Sequence, residues 1–192
     1  MRMEIFNNLG LSKTVLKSLE KLLILDEENH TKCLAVSLYK LSGSHNTDKI
    51  EDVLSRYKIL IESILSLLGN PNDMMWYDVR TEAYMKLKYL QTRINQSFII
   101  IKLLYNGSAK DLMPELNVVL IRMRYYDLNV IKFDYFKAEQ IRSVAQDDLS
   151  AIELASKKYK QEELVFLCKY LAERYTALLN EINFKYPKKL NF

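Results

Sequence analysis

Only 4 glycines and 3 prolines occur in 192 residues, and each falls between segments whose apolar residues recur at helical spacing. Gly10, Gly43, Gly69 with Pro71, Gly107 with Pro114, and Pro187 divide the chain into long uninterrupted stretches. Glycine and proline are the residues that end or kink helices. Their scarcity and placement therefore point to a mainly helical fold.

Ser12 is a plausible N-cap for a first helix carrying Val15, Leu16, Leu19, Leu22 and Leu23, and a shorter second helix covers about Thr31 to Leu41. Thr47 is expected to cap a third, in which Ile50, Leu54, Tyr57, Ile61, Ile64 and Leu68 form one stripe ending at Gly69. The fourth and longest runs from about Asp73 to Tyr105, with Trp76, Ala83, Leu87, Leu90, Ile94 and Ile101 in a single sector. Apolar residues spread to other faces near its end, as in the central helix of a bundle. Ala138–Ala145 suggests a brief helix, and Ser150 with Glu153 forms a capping box ahead of a stripe through Leu164, Leu167, Leu171, Tyr175, Leu178 and Ile182.

Residues 119–136 carry a different period. Val119, Ile121, Met123 and Tyr125 alternate with Leu120, Arg122, Arg124 and Tyr126; beyond Asp127-Leu128-Asn129, Ile131, Phe133 and Tyr135 alternate with Val130, Lys132, Asp134 and Phe136. Alternation is the pattern of a strand, and a three-residue turn would set Tyr125 opposite Ile131, Met123 opposite Phe133 and Ile121 opposite Tyr135 on one apolar face. Arg122 would pair with Asp134, although Arg124 would face Lys132. Wound as a helix, the same charges scatter round the circumference. The expected architecture is about six helices in a bundle with one β-hairpin at 119–136, the alternative being an all-helical bundle.

The length suits one well-buried core, and no linker or repeat asks for a second. A single domain, 1–192, is expected, with 1–113 as an N-terminal helical part and 114–192 holding the hairpin and C-terminal helices. A hydrophobic share of 49% beside 27% charged residues is that of a soluble globular protein. Runs such as Leu22–Leu25 and Phe98–Ile101 are too short to span a membrane, and Glu4 follows Arg2 with no apolar region behind, unlike a secretory signal. A cytoplasmic protein without a membrane partner is expected, with Cys33 and Cys168 as reduced thiols.

Catalytic material is sparse. Glu27 and His30 stand one helical turn apart, as in half of a di-iron bundle site, and His30 with Cys33 has metal-ligand spacing. Neither has a second half. No serine sits in a glycine-flanked elbow, and no glycine-rich loop can cradle a phosphate. The acidic pairs Asp26/Glu27, Asp147/Asp148 and Glu162/Glu163 fit helix caps. The expectation is a protein that is not an enzyme and carries no metal or cofactor.

Ser150-Ala151-Ile152-Glu153-Leu154-Ala155, followed by Tyr159, Val165 and Leu171, resembles a helix-turn-helix, in which a small residue packs against the second helix. That resemblance implies a duplex DNA-binding regulator reading through Gln161–Tyr170. Its departures are Tyr159 at a turn position usually held by a small residue, and Glu162 and Glu163 where phosphate would approach.

The main candidate surface is the outer face of the hairpin: Arg122, Arg124 and Lys132 with Tyr126 and Phe136, joined by Lys137 and Arg142. Rings among cations suit unpaired bases and phosphates, while 13 tyrosines suit a protein interface. The net charge of +4 permits nucleic acid without requiring it. The expected function is that of a non-catalytic intracellular interaction protein or small subunit of a larger assembly, with protein partners or self-association ranked ahead of nucleic acid.

Overall fold

The computed structural model describes residues 3–27, 33–42, 46–70, 79–128 and 134–187. Among these the regular structure is all helical, with nine α-helices, one π-helix, one 3-10 turn and no strand. No described helix is long and apolar enough to cross a membrane. The chain divides into two compact units, Met1–Phe98 and Ile99–Phe192.

The first unit contains α1 (Glu4–Asn7), α2 (Lys13–Glu27), α3 (Leu34–Ser42), α4 (Thr47–Leu68) and most of α5 (Val79–Ile100). Asn46, rather than Thr47, caps α4: its side-chain oxygen accepts the amides of Asp48 at 2.9 Å and Lys49 at 3.4 Å. The helix closes on Gly69 at φ 81, a conformation that costs glycine nothing. Helices α2, α3 and α4 pack on one another, and Phe6, Leu22, Leu34, Leu54, Ile61 and Leu87 are buried, one or more from each of the five helices. Asp26 is no cap. Its buried carboxylate accepts hydrogen bonds from Lys86 Nζ at 3.1 Å and Arg93 Nε at 2.9 Å, tying α2 to α5. The Ser97 hydroxyl, also on α5, donates to the Arg93 carbonyl and accepts the Leu34 amide, closing the first turn of α3 from another helix. His30, His45 and Trp76 lie outside the described residues.

The second unit begins with the end of α5 and the π-helix Ile101–Tyr105, in which Ile101, Leu103, Leu104 and Tyr105 are all buried. A π turn holds an extra residue, which explains why apolar residues there spread over several faces. Gly107, at φ 81, ends it while Ser108 N–H reaches back to the Lys102 carbonyl. There follow α6 (Ala109–Leu112), the 3-10 turn Pro114–Leu116, α7 (Asn117–Leu128), α8 (Tyr135–Lys158) and α9 (Glu162–Lys185).

The expected β-hairpin at 119–136 does not form. Its first strand is α7, and Tyr135 and Phe136 open α8; residues 129–133, Lys132 among them, lie outside the described residues. Asp134 is the N-cap of α8, accepting the Lys137 amide at 2.8 Å, and is not a partner of Arg122. The alternation arises because α7 is apolar on two sides: Val119, Leu120 and Met123 face the core, while Val118, Ile121 and Tyr125 face solvent. Interleaved along the chain, two such sets imitate a period of two. The chain after it also differs from expectation, because α8 is one continuous helix and Ser150 lies inside it.

Helix α8 buries Ala138, Ile141, Ala145, Asp148, Ile152 and Ala155, a heptad seam rich in small residues that lets α9 approach closely. The two run antiparallel. Arg142, near the start of α8, bonds the Asn183 side chain at 2.9 Å and the Tyr186 carbonyl at the end of α9, and Asp148 meets Tyr175 midway.

Candidate protein-interaction site

Two buried aspartates set the rotation of α7 about its axis. Asp127, on α7, accepts hydrogen bonds from Arg174 Nε at 2.8 Å and the Tyr170 hydroxyl at 2.9 Å, both on α9, and from the Tyr105 hydroxyl at 3.4 Å. Asp148, on α8, accepts from Arg122 Nη1 of α7 at 2.6 Å and from the Tyr175 hydroxyl at 2.7 Å. Helix α7 thus gives one cation and takes one, at positions five residues apart. A buried ion pair adds little net stability over an apolar replacement, but a broken one is costly. Any rotation of α7 that turned its outer face inward would break both pairs.

The face so held outward is apolar. Val118, Ile121 and Tyr125 follow at i, i+3 and i+7, with Ile121 61% and Tyr125 50% exposed. A groove of about 250 Å³ between this ridge and α8 is lined by Arg122, Tyr126, Lys137 and Ile141 beside Ile121 and Tyr125. A second, of about 260 Å³, lies on the other side of Ile121 and is lined by Leu103, Leu104, Lys110, Asn117 and Arg124 among others. Neither lining includes a carboxylate.

Two of the residues expected to form a binding face have internal roles. Arg122 bridges to Asp148 with its side chain one-third exposed, and the Arg142 guanidinium, largely buried, is turned to Glu139 and the end of α9. Tyr126 is half-buried, with its ring edge-on to Tyr175. Arg124 and Phe136 are exposed, Lys137 is half-exposed in the first groove, and Lys132 lies outside the described residues. The structure therefore brings Arg122, Tyr126 and Lys137 together, places Arg124 across the ridge, and directs Arg142 elsewhere. Sequence reasoning missed the ridge itself, because alternation assigned Ile121 and Tyr125 to the core.

No family model, curated protein or solved structure matches this chain. The geometry alone carries the functional argument.

Two tyrosines and a thiol of the second unit are held in their neutral, protonated forms. Burial, then the hydrogen bond to Asp148, raises the Tyr175 hydroxyl well above its ordinary range; burial raises Tyr126. Cys168 is pushed up to about 11 by burial, with the negative charge of Glu115 adding to it. A thiol so shifted is no nucleophile near neutrality. The region offered as resembling a helix-turn-helix is an antiparallel αα-hairpin packed along its length, whereas that motif crosses its helices at about 90–120°. Its turn is tied at the surface to the 3-10 turn, Lys158 Nζ and the Tyr159 hydroxyl both donating to Glu115 at 2.7 and 2.8 Å.

Proposed function

We propose that this chain is a non-catalytic interaction module, working inside the cell as a small subunit of a larger assembly, and that its docking surface is the outer ridge of α7. The observation that carries the reading is the contradiction in α7: a helix locked by two ion pairs on buried carboxylates nevertheless turns Val118, Ile121 and Tyr125 to water. Isolated exposed apolar residues are ordinary, but a contiguous ridge between two grooves marks a surface that another molecule covers. Two free buried thiols suit a reducing compartment.

Nucleic acid ranks below protein as the partner. Of the cations proposed to contact phosphate, Arg122 and Arg142 already serve carboxylates within the second unit. A ridge containing valine and isoleucine also offers less to bases than to an apolar protein surface.

The native assembly, purified through the tagged full chain from its own cells, tests the reading when compared with Ile121→Ser/Tyr125→Ser and with Ile59→Ser, an exposed apolar site in the first unit. The expected result is co-purifying protein that the ridge variant loses and the Ile59 variant keeps. Equal recovery by all three, or no companion at all, overturns it.

A further inference from the structure

The flanks of the ridge describe its partner. Lettered as a heptad, α7 places Val118 and Tyr125 at a and Ile121 at d, with Arg122 at e and Arg124 at g. Positions b, c and f of this helix, including Val119, Leu120 and Met123, are the ones that face its own unit. The a–d–a seam is the side left open. In paired helices the apolar a and d residues supply the contact, and the e and g charges select the partner.

Every charged side chain lining the grooves beside the seam is basic: Arg122 and Lys137 on one side, Lys110 and Arg124 on the other. Lys110, Arg124 and Lys137 form no ion pair with another described residue, and Arg122 keeps a third of its side chain exposed while bonded to Asp148. From this arrangement we infer that the ridge docks an acidic amphipathic helix, whose apolar stripe covers Val118, Ile121 and Tyr125 and whose flanking carboxylates meet Arg122, Arg124, Lys110 and Lys137. The inference rests on the proposed interaction role of α7.

Two alternatives fit the same surface less well. A second copy of this chain, docked ridge to ridge, would set Arg122 and Arg124 against Arg122 and Arg124, and like charges at e and g reject that pairing. An oligonucleotide would use the cations but leave Val118 and Ile121 without an apolar contact. The seam spans two helical turns, about 10 Å, so two heptads of partner helix suffice to cover it.

The probes are two synthetic two-heptad peptides with leucine at a and d, one carrying glutamate and the other lysine at every e and g, and a single-stranded RNA. Binding to the full chain is read by fluorescence anisotropy at low and high salt, and self-association by sedimentation. The glutamate peptide is expected to bind, to weaken with salt, and to weaken at least about tenfold, or roughly 1.4 kcal/mol, on Ile121→Ser. Arg124→Glu should shift the preference toward the lysine peptide. Because Ile121 and Arg124 are both exposed, unchanged circular dichroism shows that the variants fold. Equal binding of the two peptides by wild type, RNA binding tighter than either, or a wild-type dimer lost on Ile121→Ser overturns the inference. If neither peptide binds while the native assembly still depends on Ile121 and Tyr125, the acidic helix is wrong and the docking role stands.

Discussion

Replacing Asp127 by asparagine removes one charge and almost no volume, yet it should cost the second unit more than any surface substitution. The Asp127 side chain is 0% and the Arg174 side chain 5% exposed. Taking away one member of such a pair leaves the other buried and uncompensated, a loss of about 3–5 kcal/mol. The same chemistry at Lys157–Glu153, where both side chains are more than half exposed, is screened by water and contributes little. For a unit of this size each kcal/mol shifts the melting temperature by about 4–8 °C, so Asp127→Asn should lower it by more than about 12 °C. Thermal unfolding by circular dichroism measures the loss, and hydrogen exchange places it in residues 99–192. Asp127→Leu combined with Arg174→Met should recover about 2 kcal/mol relative to Asp127→Leu alone, because the lone buried charge is gone. The recovery stays partial because Tyr105 and Tyr170 lose the carboxylate they donate to. The reasoning is refuted if Asp127→Asn costs no more than Glu153→Gln, or if the double variant is no more stable than Asp127→Leu.

Ser97→Ala should destabilise the first unit by about 1–2 kcal/mol in urea titrations, since it strips the α3 amide of its acceptor; Ser63→Ala, an exposed serine bonded only within its own helix, should be neutral. Arg122→Gln should lower stability by about 1–2 kcal/mol while Arg124→Gln stays within about 0.5, because only the first serves a buried carboxylate. Iodoacetamide at pH 8 should modify Cys168 in the native protein far more slowly than in guanidinium, as judged by mass spectrometry of the tryptic peptides. The raised Cys168 value also predicts pH dependence: its contribution to stability is complete below about 9, the unfolded value, and falls by roughly 2 kcal/mol by pH 11. The gap between urea midpoints at pH 8 and pH 11 should therefore narrow on Cys168→Val, the raised Tyr126 and Tyr175 hydroxyls accounting for what remains.

Helices α2 to α5 were legible because each has one apolar stripe and clear breaks, as with Ile50, Leu54, Ile61 and Ile64 before Gly69, whereas the four-residue α1 was not read. Helix α9 was legible for the same reason. The seam of α8 was not, because Asp148 sits in it and three of its members are alanines, which carry little apolar weight. Helix α7 was misread because its buried face includes Asp127 and its exposed face includes Ile121, an inversion that periodicity cannot distinguish from a strand. Arg122, Tyr126 and Lys137 were grouped from their neighbourhood in sequence and do line one groove. What could not be read from sequence was which side of α7 meets water, since that is decided by Arg174 and Tyr175, some fifty residues further along the chain, and by Tyr105 before it.

The π turn at Ile101–Tyr105 has a consequence for how this chain tolerates insertion and deletion. Elsewhere in a helix, losing one residue rotates everything downstream by about 100° and misplaces a buried face. Here the wide turn already holds one residue more than an α turn does. A chain shortened by one residue at this point would continue as an ordinary α-helix, exchanging a wide turn for a regular one. The residues after the deletion would keep their places, so Tyr105, at the end of the turn, would still reach Asp127. A relative lacking one residue here would therefore be expected to keep both the tyrosine and the aspartate.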